Sequence, residues 1–449
     1  MTSSAKTAAA GAHRGGPTDP SHDEELRRGI LHTAVSRPVA RLLVVPFLLL
    51  IYAVPIGQAI RDKLKGDEMV LLDLFRRAPT KENIKQLEED LDKASTPREL
   101  TRPHVQAALT GWGGFGNGKA VVGRDGWLFY APGVTAVGGP GFLQPAIIGG
   151  RKKAALDAGD PPLSPDPRPA IIGFARFLAQ RGIRLVLFPV PDKASLQPVQ
   201  LHGRVRDAHE APARNVDAAR LVDQLTAAGV LVFDASPKTL ADAPPARYFL
   251  TQDTHWTPAW MESVATDLAA FLVAQGAAAR ATGAERRDWK AVAKTVTRVG
   301  DVTDMLGLPE GQTLFAPETE TVHQVQDATG APFEPSDVPN AHAHVLLLGD
   351  SFTNVFSLEQ MGWGASAGLG PQLARALGGD VDVLARNDAG AYATRQLLFN
   401  ALAGGEDPLA GKTVVVWELA SRELAVGDFK PLDWASLPKT TAAPPGATP

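Results

Sequence analysis

A serine, a histidine and an aspartate in this sequence have the types and the spacing that nucleophilic catalysis requires. Ser351 comes three residues after the end of the apolar run 345–348, in Gly349-Asp350-Ser351. At the end of a strand its hydroxyl would project from the sheet, and its own N–H could face a developing oxyanion. On local grounds alone, a strand-ending turn in which Ser351 caps a helix is an equal alternative.

A serine nucleophile needs a base, which is usually a histidine. Of the ten histidines, His255 alone has an acid two residues before it and a suitable helix after it. Asp253 and His255 point the same way if their segment is extended, so Asp253 can hold one ring nitrogen while the other faces the serine. Thr257 and Pro258 would cap and begin the helix that follows.

The Asp253-x-His255 pair also has other interpretations, as two metal ligands or as a surface hydrogen bond. A metal site would need a third and a fourth ligand, and no histidine-rich or Glu-x-x-His pattern supplies them. We therefore predict no metal site and no cofactor.

Two other motifs match known signatures by letter only. Residues 364–368 form Gly-x-Ser-x-Gly around Ser366, but α/β-hydrolases place their histidine after the serine, and no histidine lies beyond His344. Residues 111–116 match the dinucleotide fingerprint Gly-x-Gly-x-x-Gly. They lack a preceding strand and a following helix, so we interpret them as a loop.

The elements that must position Ser351 and His255 follow an alternating pattern. Short β-branched apolar runs occur at 184–190, 230–233, 345–348, 381–384 and 413–417, and helical patterns at 170–180, 213–228, 258–275 and 392–402. This alternation predicts an α/β fold, with a parallel sheet flanked by helices on both faces. Ligands of such sheets bind at the carboxyl ends of the strands, where Ser351 falls.

One segment predicts a membrane-spanning helix. The 19 residues from 42 to 60 carry no charge, and a spanning helix needs about 20 residues. The run starts late and no Ala-x-Ala site follows it, which favours a signal anchor over a cleaved signal peptide. A buried core helix is the other alternative, and the flanking arginines and two internal prolines disfavour it. Basic residues are nearly balanced on the two sides, so charge does not decide the orientation.

Composition excludes several classes of protein. The 449 residues are 44% hydrophobic and 21% charged, with a formal net charge of −4. A nucleic-acid binder would carry a basic surplus, so we predict no nucleic-acid partner. The chain has no cysteine, which excludes disulfide scaffolds, thiolate metal sites and cysteine nucleophiles.

The motifs together resemble a known family. A Gly-Asp-Ser block after a strand, with an Asp-x-His pair, is similar to the SGNH hydrolase superfamily, most of whose members place the pair after the serine. Here the pair precedes it, a circularly permuted order that resembles the alginate O-acetyltransferase family. Residues 122–130, Val-Gly-Arg-Asp-Gly-Trp-Leu-Phe-Tyr, and 190–193, Val-Pro-Asp-Lys, also resemble that family. The resemblance covers roughly residues 119–428.

The resemblance implies an enzyme that acetylates hydroxyls of an exported polysaccharide, alginate-like or another such as cellulose. Ser351 would carry the acetyl group, His255 would be the base and Asp253 would orient it. The acetyl donor would be a multispanning membrane acyltransferase. An acetylesterase with the same triad, and a non-catalytic polysaccharide-export scaffold, are the alternatives.

Residues around the triad are harder to assign. The superfamily's oxyanion blocks are not recognisable here, and Asn387, after the run 381–384, is our candidate to bind the oxyanion beside the Ser351 amide. Lys193 and Arg395 are candidates to bind an anionic sugar or a carboxylate. Solvated surface charge is an equal alternative for both.

The resemblance also places the large domain in the periplasm, with a single pass through the inner membrane. Apolar residues between 61 and 100 have helix-like spacing, which predicts a stalk. We therefore expect a disordered cytoplasmic tail at 1–41, a signal anchor at 42–60, a stalk or linker at 61–118, the SGNH-like acetyltransferase domain at 119–428 and a disordered tail at 429–449.

Overall fold

The computed structural model describes residues 36–203, 212–236, 247–334, 340, 342–388 and 390–437. The chain forms two compact units, Met1–Thr101 and Arg102–Pro449. The predicted disordered tails fall mostly outside the described residues, which leave out 1–35 and 438–449.

The described part of the first unit, from residue 36 onward, is helical. Its helix α1 (Arg37–Lys65) contains Pro46 and Pro55, and it ends at Gly66, which adopts the left-handed conformation with φ 78°. An 18-residue window of α1 has a mean hydropathy of 2.3, so this helix is long and apolar enough to cross a membrane. A 3₁₀ turn and three helices follow: Val70–Leu72, α2 (Asp73–Arg76), α3 (Lys81–Ala94) and α4 (Thr96–Gly113), the last of which continues into the second unit.

The second unit alternates strands and helices. The strands are β1 (Ala120–Val122), β2 (Leu128–Tyr130), β3 (Arg184–Val190), β4 (Leu231–Val232), β5 (Lys290–Arg298), β6 (Glu318–Gln326), β7 (Val345–Gly349), β8 (Val381–Ala385) and β9 (Val414–Ala420). The helices are α5 (Ala131–Gly138), α6 (Pro145–Ala158), α7 (Pro167–Gln180), α8 (Lys193–Leu196), α9 (Pro198–Leu201), α10 (Ala218–Ala227), α11 (Pro258–Ala274), α12 (Asp301–Leu306), α13 (Ser351–Asn354), α14 (Leu369–Leu377), α15 (Ala393–Ala403) and α16 (Glu423–Val426).

The central sheet is parallel and five-stranded, in the order β4-β3-β9-β7-β8. Successive side chains of a strand face opposite sides of the sheet. Val345 and Leu347 of β7 therefore pack with α11 and α14, and Leu346 and Leu348 pack with α7 and α15. Because both faces are covered, the strands read as continuous apolar runs. The predicted parallel α/β fold is confirmed.

Two antiparallel pairs of strands were not predicted from the sequence. The β1–β2 pair and the longer β5–β6 pair are antiparallel and separate from the central sheet. The side chains of β5 are mostly exposed, so this strand has no run of apolar residues that would reveal it in the sequence.

Residues 429–437 are packed rather than disordered, contrary to the tail predicted from 429 onward. Phe429 and Leu437 are buried. The Trp434 ring stacks on the rings of Phe174 and Phe177 in α7, with centroids 4.8 and 4.7 Å apart. The folded unit therefore extends at least to residue 437.

We expect a chain that ends at residue 428 to be less stable than the full chain by about 2–4 kcal/mol, because it exposes the apolar surface of α7 that Phe429 and Trp434 cover. Denaturant unfolding of the detergent-solubilised protein measures this difference. A chain that ends at residue 437 is the control and should unfold like the full chain. Equal stability of the two truncated chains would contradict the packing described.

Candidate active site

The nucleophile candidate lies in a tight turn between β7 and α13. A Cβ atom at Gly349 would lie 2.1 Å from Oγ1 of Thr353, so only glycine lets the chain turn so closely. Asp350 caps α13, since its Oδ1 accepts a hydrogen bond from the Phe352 amide at 2.8 Å. Ser351 is the first residue of this short helix, at the carboxyl end of a central strand.

The structure brings the three predicted catalytic residues together. His255 Nε2 lies 2.8 Å from Ser351 Oγ, and His255 Nδ1 lies 2.6 Å from Asp253 Oδ1. All three side chains are more than nine-tenths buried. His255 sits just before α11, whose N-cap Thr257 accepts a hydrogen bond from the Trp260 amide at 3.3 Å. The geometry is that of a nucleophile, base and orienting acid in line.

The Asp253 carboxylate has further donors that the sequence did not reveal. Its Oδ2 accepts hydrogen bonds from the Asp301 amide and from the Trp363 indole N–H, both at 2.9 Å. The His255 amide donates to Oδ1 at 3.0 Å. Asp301 and Trp363 are distant from Asp253 in sequence, and no local pattern marks either residue.

These contacts shift the pKa values of the pair in opposite directions. Burial lowers the pKa of His255, but the hydrogen bond and charge of Asp253, with the charge of Asp301, outweigh burial and raise it above 6.5. Burial raises the pKa of Asp253, and the hydrogen bond and charge of His255 more than reverse this, so Asp253 stays ionised. Burial and the charge of Asp253 raise the pKa of Asp301 to about 6.

The alternative of a metal site is less well supported by the same residues. One ligand atom each of Asp253, His255 and Asp301 lies within 4.8 Å of the others. However, both oxygens of Asp253 already accept N–H hydrogen bonds. Asp301 Oδ1 accepts two more from the amide and hydroxyl of Thr254, at 2.7 and 3.0 Å. N–H donors directed at carboxylates compete with a cation, so this cluster fits a hydrogen-bonded relay.

A buried glutamate supports the nucleophile turn from behind. Glu418 of β9 is fully buried, and its Oε2 accepts hydrogen bonds from the Asp350 amide at 2.9 Å and the Thr353 hydroxyl at 2.7 Å. Its Oε1 has no partner among the described residues. Burial and then the charge of Asp350 raise the pKa of Glu418 well above its usual range, which favours the protonated form of this side chain.

The predicted substrate-binding role of Lys193 and Arg395 finds no support in the structure, because both side chains are enclosed by their own chain. Lys193 Nζ donates to the carbonyls of Leu128, Thr251 and Asp253 at 2.6, 2.9 and 3.0 Å. Burial lowers its pKa to about 7. It therefore holds the backbone of the Asp253 segment.

Arg395 is completely buried. It donates to the carbonyls of Ala391 and Lys430 at 2.7 and 3.2 Å, and its guanidinium lies 4.8 Å from the ring centroid of Trp417. These contacts are structural, since none leaves the guanidinium facing a polymer.

A third cation, Arg422, also lies beside the site. The Arg422 guanidinium lies 5.7 Å from the ring centroid of Phe352, which follows Ser351, and 5.1 Å from that of Tyr130. Its Nη1 is 3.8 Å from Asp192 Oδ1. No local pattern distinguishes Arg422 from the other arginines, because its position depends on how β9 ends.

The oxyanion role of Asn387 stays a prediction. Asn387 is exposed after β8, beside β7, and its Oδ1 accepts a hydrogen bond from Asn354 Nδ2 of α13 at 2.8 Å. The Ser351 amide has no acceptor among the described residues. Both groups lie at the same edge of the sheet.

Comparison with known proteins identifies the domain that contains this site. The model of the SGNH hydrolase-like domain of the acetyltransferase AlgX matches residues 120–421, which include Asp253, His255 and Ser351. No curated protein matches the sequence.

Similar solved structures include three bacterial proteins. The O-acetyltransferase domain of Pseudomonas putida AlgJ has a TM-score of 0.46 at 23% identity, over 69% of this chain and 93% of that one. Pseudomonas aeruginosa AlgX has a TM-score of 0.43 at 16% identity, over 69% of this chain and 62% of that one. Bacillus cereus PatB1 has a TM-score of 0.37 at 13% identity, over 68% of this chain and 97% of that one.

We expect turnover of an activated ester to fall as pH drops through the raised pKa of His255, because a protonated imidazole cannot accept the serine proton. Asp301→Asn removes a negative charge that raises this pKa, so the acidic midpoint of the pH–rate profile should move to lower pH. The asparagine oxygen still accepts from Thr254. Asp304→Asn, on the same helix but exposed, is the matched control and should leave the midpoint in place. A midpoint that is unmoved in Asp301→Asn would contradict the assigned influence of Asp301.

We expect Glu418→Gln to turn over the same ester within a few-fold of the wild-type rate, because glutamine is neutral and keeps an acceptor oxygen for Asp350 and Thr353. Glu418→Leu leaves two buried donors unpaired and should lose about tenfold to a hundredfold, equivalent to ~1.4–2.7 kcal/mol. Steady-state kinetics on variants with matched circular dichroism spectra measure both. Equal losses in the two variants would show that Glu418 acts as an anion.

Proposed function

The chain belongs to the AlgX family of SGNH hydrolase-like acetyltransferases and is an O-acetyltransferase, and from this premise we propose that it acetylates hydroxyls of an exported polysaccharide through an acetyl-serine on Ser351. The observation that carries the proposal is the continuous hydrogen-bonded line from Asp253 through His255 to Ser351, inside the matched residues. A nucleophile in contact with an oriented base is the arrangement that acyl transfer needs.

In the first half-reaction, His255 Nε2 takes the proton of Ser351 Oγ as this oxygen attacks the carbonyl carbon of an acetyl donor. The carbonyl oxygen becomes an oxyanion, and the Ser351 amide donates a hydrogen bond to it. When the intermediate collapses, the bond to the donor breaks and the leaving group takes the proton from His255. The acetyl group is then an ester of Ser351.

In the second half-reaction, a sugar hydroxyl gives its proton to His255 and attacks the acetyl-serine. A second tetrahedral intermediate forms and breaks at the Ser351 ester bond, and Ser351 Oγ recovers the proton. Asp253 accepts the Nδ1–H of His255 in both halves, fixes its tautomer and stabilises the transient imidazolium.

Burial of the relay supports transfer over hydrolysis. Ser351, His255 and Asp253 are 8%, 4% and 1% exposed. The ring of Phe352 packs against His255, with centroids 4.8 Å apart. Limited water access protects an acyl-enzyme until an acceptor hydroxyl binds.

The helix α1 supports the membrane part of the proposal. Its length and apolarity fit a single-pass anchor. We place this anchor in the inner membrane and the second unit in the periplasm, beside a multispanning membrane acyltransferase that supplies the acetyl group.

We expect the full-length protein to gain the mass of one acetyl group when it is incubated with an activated acetyl ester and analysed by intact-mass spectrometry. Ser351→Ala and His255→Ala should gain none, because one lacks the nucleophile and the other its base. Ser366→Ala is the matched control, since Ser366 stands in the rival Gly-x-Ser-x-Gly motif, and it should still gain the acetyl group.

Added polysaccharide should remove the acetyl group from Ser351 faster than buffer does, with the label recovered on the polymer. An adduct that persists in Ser351→Ala would refute the assigned nucleophile. Release to water alone, at the same rate with and without polymer, would favour an esterase.

A further inference from the structure

The outward side of α4 carries apolar side chains where a solvated helix would carry polar ones. Val105, Leu109 and Trp112 recur at helical spacing and are 54%, 46% and 92% exposed. Phe115, in the loop after the helix, is 61% exposed. Single exposed apolar residues are common. A continuous apolar stripe that ends in two aromatic rings instead indicates a surface that binds a membrane or another protein.

The stripe is held outward by hydrogen bonds on the inner side of the helix. Buried Thr110 donates through Oγ1 to the Phe115 carbonyl at 2.9 Å, and Gln106 donates to the same carbonyl at 3.2 Å. Asn117 Nδ2 donates to two backbone carbonyls of α12, at 2.9 and 3.1 Å. The loop after α4 is therefore tied both to the helix and to the catalytic unit.

Leu314 extends the stripe into a patch. A Cβ atom at Gly111 would lie 3.2 Å from Leu314 Cδ2, so the two chain segments meet closely, and Leu314 is 44% exposed. We call Val105, Leu109, Trp112, Phe115 and Leu314 the α4 patch. It includes part of the glycine-rich segment 111–116, whose dinucleotide-like letters the catalytic site does not use.

The chemistry of the α4 patch fits a phospholipid surface. Indole rings prefer the headgroup level of a bilayer, where the ring is buried and the N–H stays hydrated. Arg102 is exposed three residues before Val105, on the same side of α4 by helical spacing, and a guanidinium there can pair with a lipid phosphate.

The helix α1, as a membrane anchor, holds the chain at a bilayer. The helix α1 ends at Lys65, and α4 begins at Thr96. Only residues 66–95 separate α1 from α4, which keeps the second unit at high effective concentration near the membrane that α1 crosses, so a patch of modest intrinsic affinity is sufficient.

We propose that the α4 patch rests on the surface of the bilayer that α1 crosses, with Trp112 and Phe115 at headgroup level. The catalytic unit then has a membrane contact of its own besides the anchor. This inference depends on α1 being the anchor and is independent of the chemistry at Ser351.

The chain contains no cysteine, so one introduced cysteine can carry an environment-sensitive nitrobenzoxadiazole probe at a chosen position. We would place it at Leu314→Cys, at the edge of the patch, in full-length protein reconstituted into nanodiscs of phosphatidylethanolamine and phosphatidylglycerol. Lys294→Cys, on the exposed strand β5, is the matched control position.

We expect the probe at position 314 to emit at shorter wavelength and to be quenched by spin-labelled lipid, while the probe at 294 stays unquenched. Trp112→Glu should remove most of the quenching at 314 and leave the turnover of an activated ester unchanged, which also shows that the variant folds.

Equal quenching at both positions, or quenching at 314 that is unaffected by Trp112→Glu, would overturn the proposal. Shielding that appears only in native membrane vesicles would overturn it in favour of a protein partner. Shielding in detergent that grows with protein concentration would overturn it in favour of a second copy. Co-elution with nanodiscs tests the anchor separately: without co-elution, anchor and patch proposals both fail, whereas the acetyl adduct on Ser351 is unaffected.

Discussion

The buried carboxylate of Asp253 is the interaction on which the rest of the site depends. Its two oxygens accept hydrogen bonds from the amide and ring of His255, the amide of Asp301 and the indole of Trp363. An ionised carboxylate in a protein interior is very costly unless such donors surround it. The segments that carry these donors are therefore fixed around one point, and the imidazole is fixed with them.

Parts of the fold and site were predictable because their signals are local. Continuous apolar runs and helical spacing identify the parallel sheet. Ser351 lies just after one of the predicted strands, and the Asp253–His255 pair lies just before one of the predicted helices. Trp363 and Asp301 were not identified as site residues because their partner, Asp253, comes from a distant part of the chain. Such convergence is a property of the tertiary structure, and no spacing in a single sequence encodes it.

The substrate-binding roles predicted for Lys193 and Arg395 lack support for a different reason. A cation in a sequence is usually exposed, yet these two are buried and bonded to backbone carbonyls. Asp192 is buried as well, and burial raises its pKa to about 6. Buried ionisable side chains thus hold the backbone at this edge of the sheet. The low dielectric of the same buried region strengthens the hydrogen bond between His255 and Ser351.

The place of β9 in the sheet has a consequence for when the enzyme becomes active. This last strand in sequence lies between β3 and β7, and it supplies Glu418 and the Ala420 amide that hold Asp350 beside the nucleophile. Contacts between residues so far apart in sequence form late in folding. A chain still being synthesised lacks the centre of its sheet until residue 420 has been added. The nucleophile turn is therefore completed only after every other strand of the central sheet has been made, so the order of the strands delays its assembly.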